Sequence, residues 1–345
     1  ASPGPNETVT VDLSLAPEPE QWTHPGFTAL ARLGHEYDAI ADPVNPFVGN
    51  FFFNRTLFGF PGRMGLDLAF AVSYNSHLAA EDGPLGFGWT HSLAMRVEVD
   101  GEDHTVVMPD GSRRFFKKSG TTYTPFNCTT TATLADRSPD GWSLTFPDGL
   151  AWLFDASGRL TRITNPRNHS ITLTHSTQLD RITDSMGRQI DLTWAGGRIT
   201  AITTPATGGP TAQFAYDGNG NLTSLTDARG HAWTFTYDAQ HRLRTETDRR
   251  GIVVLTNTYG ADGRIASQAD AAGQLTTFAA TPLAGNRLQV VVTPPSGNAI
   301  TQVYDANGQL LQVTDGEGHS ATFGWDARGN LAAATDKLGH TAVFE

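Results

Sequence analysis

Along the second half of the chain, apolar and polar positions follow a frame that returns about every 20 to 24 residues, a period typical of stacked repeats. The frame runs from Phe154 to Glu345, through about nine copies. With the leucine-type residue of each copy as origin, an apolar residue follows at +3, Asp or Asn at +5 and Gly or Asn at +8. Further apolar or aromatic residues stand at +11, +13 and +15. Leu222, Leu225, Asp227, Gly230, Trp233, Phe235 and Tyr237 fill every slot, as do Leu310, Val313, Asp315, Gly318, Ala321, Phe323 and Trp325. The copy on Leu179, Ile182, Asp184, Gly187, Ile190, Leu192 and Trp194 keeps the same frame.

Slots +11, +13 and +15 are two residues apart, so they share one side of a β-strand, while Thr or another small residue faces the other. Asp-x-x-Gly between the apolar groups is turn chemistry: Asp bonds its own backbone two residues on, and Gly accepts positive φ. Each copy is therefore predicted to be a hairpin with strands of about five residues. A lone hairpin is marginal in water, so the copies are expected to stack side by side into one ladder that buries the aromatic row.

A different pattern fills residues 42–152. Leu66, Leu68, Phe70, Val72 and Tyr74 alternate strictly with small or polar residues, the mark of a half-buried strand. GPLGFGWTHSL (83–93) is a Gly-rich turn bearing Trp89. MPDGSRRFF (108–116) and FPDGLAWLFD (146–155) each set Pro-Asp-Gly between strand-like runs. Residues 42–152 thus read as a separate, smaller β domain and 153–345 as the repeat array. Residues 1–41 are Pro-rich, with a short amphipathic helix expected at 27–40, and read as a linker or a plug.

The grammar Asp-x-x-Gly-x-Leu, Asp-x-x-Gly, Phe-x-Tyr-Asp resembles the YD repeat of bacterial Rhs and wall-associated proteins. The run DPVNPFVGNFFFNRT with the later YNS, GPLGFGW and PDG resembles the lead-in or cap domain that precedes the array in many Rhs proteins. The resemblance covers about 190 residues of repeat directly. It implies an all-β fold in which an antiparallel sheet spirals as part of a hollow shell. It also implies as partners a C-terminal toxin or effector domain of the same polypeptide, further YD repeats downstream and a secretion apparatus. Export to the cell surface or medium follows from the same likeness. Counted from Leu331, the next aromatic slot falls just past Glu345, which reads as a truncated array.

Composition agrees with a turn-rich β protein: charged residues make up 17% of the chain, with 36 Gly and 19 Pro. The net charge of −11 repels phosphate backbones and speaks against nucleic acid as a partner. No apolar run reaches the roughly 20 residues that cross a bilayer. Cys128 is the single cysteine, so neither an internal disulfide nor a thiolate metal cluster is expected.

Candidate chemistry is sparse, and the reading is of a protein that is not an enzyme and takes no cofactor or metal. His169, His231, His319 and His340 occupy one slot, directly after the +8 turn residue, so they serve the turn rather than catalysis. His24, His35, His77, His91, His104, His175 and His241 show no ligand spacing. Asp217-Gly-Asn219-Gly-Asn221 imitates the start of a calcium loop, but Leu222 and Ala228 stand where such a loop needs Gly and Glu. Glu81-Asp82 and Glu102-Asp103 read as solvated loop charges, and Asp42-Pro43 lacks the surroundings of a self-cleavage segment. The expected function is an encapsulating shell fragment. The alternative is a surface adhesin binding sugars on Trp194, Trp233 and Trp325.

Overall fold

The turn and strand slots of the array close into one antiparallel sheet of 21 strands, from Thr133–Asp136 to Thr341–Val343, each strand paired with its chain neighbour. The computed structural model describes residues 44–120, 122–125, 131–204, 211–327 and 329–344. Cys128, the expected helix at 27–40 and Asp42-Pro43 lie outside the described residues. Among the described residues the only helical elements are the short 3-10 turns Arg63–Gly65 and Ser76–Leu78, so the fold is all-β.

The sheet takes in three strands ahead of the first copy: Thr133–Asp136, Trp142–Thr145 and Ala151–Phe154. Their side chains continue the array's own buried column, in which Leu144 faces Leu134 and Trp152, and Trp152 faces Ile163. Farther on, Leu173 faces Ile182, which faces Ile190. Period-2 alternation keeps these residues on one face and puts hydroxyls on the other. There Thr236 pairs with Thr245 and Thr258 with Ser267, each at 2.6 Å.

The tight turns repeat one geometry. At Asp227 the carbonyl accepts from Gly230 N–H at 3.0 Å, while its own N–H donates to His231 C=O at 2.9 Å. Its Oδ1 accepts from the amides of Arg229 and His231. Asp155, Asp184, Asp217, Asp238 and Asp315 hold their turns in the same way. This is a type I turn followed by a left-handed residue, here Gly230 at φ +78.

From Leu153 on, alternate connections carry a bulge, except that between Leu275–Leu283 and Arg287–Thr293, and one more bulge lies between Glu246 and Thr247. Tyr216 faces Leu222 and Ala215 faces Ser224, leaving Thr223 as the extra residue; Tyr237 faces Leu243 with Arg244 left over. The same offset recurs where Tyr259 faces Ile265, Tyr304 faces Leu310 and Trp325 faces Leu331. The aromatic +15 slot is therefore also the bulge slot.

The N-terminal region holds a three-stranded sheet of Phe52–Phe60, Leu68–Asn75 and Trp89–His91, and a four-stranded one from Arg96–Asp100 to Thr122–Pro125. It packs on the apolar face of the array, and one core runs from Phe51, Tyr74 and Trp89 to Leu243 and Ile265. The strand Leu68–Asn75 is buried on both faces rather than one, with Ala71 and Ser73 covered as well. It is the middle strand of its sheet, so its intervening residues had to be small.

Candidate functional site: the seam between the two β layers

At the bulges, the array's aromatic tips donate to its own backbone. Tyr237 Oη donates to Leu222 C=O at 2.6 Å, Tyr216 Oη to Ile199 C=O at 2.6 Å, and Trp194 Nε1 to Leu179 C=O at 2.9 Å. Trp325 Nε1 reaches Leu310 C=O at 2.8 Å. Each acceptor is the leucine-type residue at a bulge, where backbone groups leave the regular ladder and a covered carbonyl needs another donor. Burial pushes the Tyr216, Tyr237 and Tyr259 phenols well above their usual pKa, which keeps them protonated as donors.

Along one edge of the strip, the turns that precede each leucine-type residue meet the N-terminal region. Val97 N–H donates to Gly158 C=O at 2.8 Å, and Ile199 N–H to Pro84 C=O at 2.9 Å. Arg198 bonds Asp82 through Nη1 and Nη2 at 2.6 and 3.1 Å, and Arg264 Nη2 donates to the carbonyls of Pro46 and Phe47 at 2.7 and 2.8 Å. Along the other edge, Arg188 Nη2 reaches Pro61 C=O at 2.9 Å. The N-terminal region is thus fastened to both edges of the sheet. Asp82, expected as a solvated loop charge, belongs to this seam.

The centre of the seam is polar in an otherwise apolar column. Glu246 occupies the +3 slot that Leu225 fills one copy earlier, is 5% exposed, and accepts from Arg55 Nη2 at 2.6 Å. The Arg55 guanidinium lies 4.3 Å from the Trp233 ring centroid and 4.9 Å from that of Phe53. Beyond it, Gln268 Nε2 donates to Asn257 Oδ1 at 3.2 Å, and Asn257 Nδ2 donates to Leu243 C=O at 3.2 Å. Next to Glu246, Tyr74 Oη accepts from Leu243 N–H at 2.8 Å and donates to His241 C=O at 3.1 Å. Trp89 Nε1 donates to Tyr237 Oη at 2.8 Å. His241 takes the left-handed turn position at φ +62, stacks on Phe87 at 3.8 Å and is hydrogen-bonded through Nδ1 to Asn221 Oδ1 at 2.7 Å.

The residues weighed in the sequence are scattered along the strip. His231 and His340 sit on the turn aspartates Asp227 and Asp336, with Nδ1 to Oδ2 distances of 3.1 and 3.0 Å. His169 donates its amide to Asn165 Oδ1, and His319 its own to Asp315 Oδ1. The Asp217 carboxylate is taken up by the Asn219 and Asn221 amides and the Asn221 side chain. Among the described residues, no group of three or more His, Cys, Asp or Glu is placed to hold a metal ion. Nor is any helix among them long and apolar enough to cross a membrane. Trp233 lies under Arg55, and Trp194 and Trp325 are half-buried with their indole N–H groups bonded to backbone. Sequence reasoning passed over Arg55, Glu246, Tyr74 and Phe87. The legible signal was the break in the repeat: a carboxylate in an apolar slot and a histidine in a glycine slot.

Comparison with known proteins places two descriptions on the chain. Residues 41–116 match a domain of unknown function (DUF6531), and residues 216–253 and 304–341 match the RHS Repeat. No curated protein matches in sequence. Among solved structures, a TcdB2-TccC3 protein resembles the chain with a TM-score of 0.41 at 15% identity, over 83% of this chain and 19% of that one. A Photorhabdus luminescens Tc holotoxin pore does so with a TM-score of 0.41 at 14% identity, over 83% of this chain and 18% of that one. The chain therefore spans under a fifth of the length of these neighbours. Both RHS Repeat segments open on a bulge tyrosine, Tyr216 and Tyr304, in phase with the 21-strand sheet, so these two stretches of the array carry RHS repeats.

Proposed function

We propose that the chain is a wall segment of an exported bacterial Rhs-type shell that encloses an effector carried C-terminally on the same polypeptide. The observation that carries this reading is the unbroken 21-strand sheet, in which Trp194, Tyr216, Tyr237 and Trp325 donate to the sheet's own backbone and the turn aspartates bond their own turns. Such a surface offers few groups to a substrate and suits a barrier. On this reading the N-terminal region ahead of Thr133 contributes the cap, and further repeats pair with the edge at Thr341–Val343. An unpaired strand edge is a template for another strand, and an array extends by that means.

The test is protease protection of the full-length polypeptide. The C-terminal effector is expected to resist a non-specific protease until the shell is opened by denaturant, and to be cut at once when expressed without the array. Equal digestion of the effector in both forms would remove the proposal. The sugar-binding alternative has less support, because Trp233 is covered by Arg55 and the indole N–H groups of Trp194 and Trp325 already have partners.

A further inference from the structure

We infer that the copy spanning residues 238–259 is a register key: its departures from the repeat single out one position at which the N-terminal β region docks on the array. A repeat array presents nearly the same surface every two strands, so an element laid across it has several competing registers. Something must distinguish them. The copy opened by Leu243 departs from the pattern at Glu246 and His241, which both face the N-terminal region, and a bulge between Glu246 and Thr247 displaces its second strand by one residue.

The first is Glu246. In the flanking copies the +3 slot holds Leu225 and Gln268, and neither offers Arg55 a carboxylate. Only at Glu246 does the half-buried guanidinium of Arg55 find its counter-charge, at 2.6 Å. A one-copy slip leaves that cation between Phe53 and Trp233 or their equivalents with no counter-ion, an outcome that desolvation penalises strongly.

The second is His241, in the slot two residues before the leucine-type residue. Gly158, Gly220 and Gly308 occupy this slot in other copies; at Gly158 and Gly308 the N-terminal region comes too close for a side chain, and at Gly220 the Arg198 guanidinium does. A Cβ on Gly158 would fall 1.9 Å from Val97 O, and one on Gly308 2.7 Å from the Phe47 ring. Gly86 rests against Gly220 so tightly that a Cβ on Gly86 would lie 2.7 Å from Gly220 O. At 241 the requirement reverses: a side chain is present despite φ +62, and it fills the space under Phe87. An observed backbone outlier of this kind points to a role that offsets its strain. A slip by one copy toward the C-terminus would set Gly86 on His241 and Val97 on Thr177, so the same slot both rewards the native register and obstructs a slip in that direction.

Hydrogen exchange on the whole chain tests this. The amides of Ile199, Leu243 and Ile265 donate across the seam to Pro84 O, Tyr74 Oη and Gly49 O, so their protection reports docking in register. In a variant reset to ordinary slots, His241→Gly with Glu246→Leu and Arg55→Met, all three are expected to lose about tenfold or more in protection. Ladder amides such as that of Phe235 should stay unchanged, and Ile171→Val, a change away from the seam, should not reproduce the pattern. Unchanged protection at all three seam amides overturns the inference. If the reset chain does not fold, Phe87→Ala decides, because it leaves every array residue in place. Loss of protection at Ile199 and Leu243 with the ladder intact supports the key, and full retention at both overturns it.

Discussion

The hydroxyl of Tyr237 donates to the carbonyl of Leu222 at 2.6 Å, across the two strands of a single copy. The same oxygen accepts the indole N–H of Trp89 at 2.8 Å, so one phenol closes a hairpin and holds the N-terminal region on it. In Trp325, at the equivalent slot, the indole N–H reaches Leu310 C=O at 2.8 Å.

Tyr237→Phe is therefore expected to be costly. It strands a covered carbonyl and a buried indole N–H, each worth about 1–3 kcal/mol when left unpaired. Tyr216→Phe, which frees only Ile199 C=O, should cost about half as much. Urea unfolding of the two variants checks the order. A double-mutant cycle of Tyr237→Phe with Trp89→Phe should return a coupling of about 1 kcal/mol.

Glycines in the left-handed turn position separate conformational strain from crowding. Gly230, at φ +78, has nothing near its missing Cβ, so Gly230→Ala should cost only the left-handed penalty of about 1–2 kcal/mol. Gly158, at φ +80, has Val97 O where a Cβ would sit, so Gly158→Ala adds a steric clash that the backbone must move to relieve. It is expected to destabilise by about 2 kcal/mol more than Gly230→Ala, and to expose the Val97 amide to exchange.

Most of the array was legible because its physics is local. The spacing of Trp233, Phe235 and Tyr237 sets a strand face, and Asp227 and Gly230 set a turn, within one stretch of chain. The bulges were not legible, since their extra residues, Thr223 and Arg244 among them, share no chemistry. The seam was hidden for a different reason. Arg55 and Glu246 are 191 residues apart, and Trp89 and Tyr237 148 apart, so nothing in local periodicity joins them. Their trace in the sequence is negative: slots where the expected apolar or glycine residue is missing.

The turn aspartates can be tested by keeping or removing one oxygen. Asp184 Oδ1 accepts the amides of Met186 and Arg188, and Oδ2 pairs with Arg188 at 2.7 Å. Asp184→Asn keeps an acceptor for both amides and should cost under about 1 kcal/mol, whereas Asp184→Ala removes it and should cost about 2 kcal/mol. Chemical denaturation of both variants measures the difference. Equal costs would mean that the charge, not the turn, is what matters.

Acid should act on the two layers in separate windows. His91 is fully buried, stacked 5.1 Å from Phe70, and accepts the Leu93 amide on Nδ1, so its ring is neutral. Burial first, and His175 nearby second, lower its pKa from the usual 6.5 to about 4. The unfolded chain therefore binds a proton below about pH 6.5 that the folded chain refuses until about pH 4, and stability falls with pH between those values. The full loss is about 3 kcal/mol. The turn carboxylates act in the same direction but lower down. At Asp155, Asp217 and Asp227 burial opposes ionisation, but hydrogen bonds from the turn amides and side chains hold the pKa below the usual carboxylate value. Their contribution is complete above about pH 4 and is lost as pH drops through the lowered values. Urea unfolding of the parent chain and of His91→Leu at pH 7.5, 5.5 and 4.5 distinguishes the two sources. The parent should weaken steadily across the series, His91→Leu should weaken less steeply and keep only the slope of His77, whose pKa burial also lowers, and parallel slopes for the two chains would assign the upper window to groups other than His91.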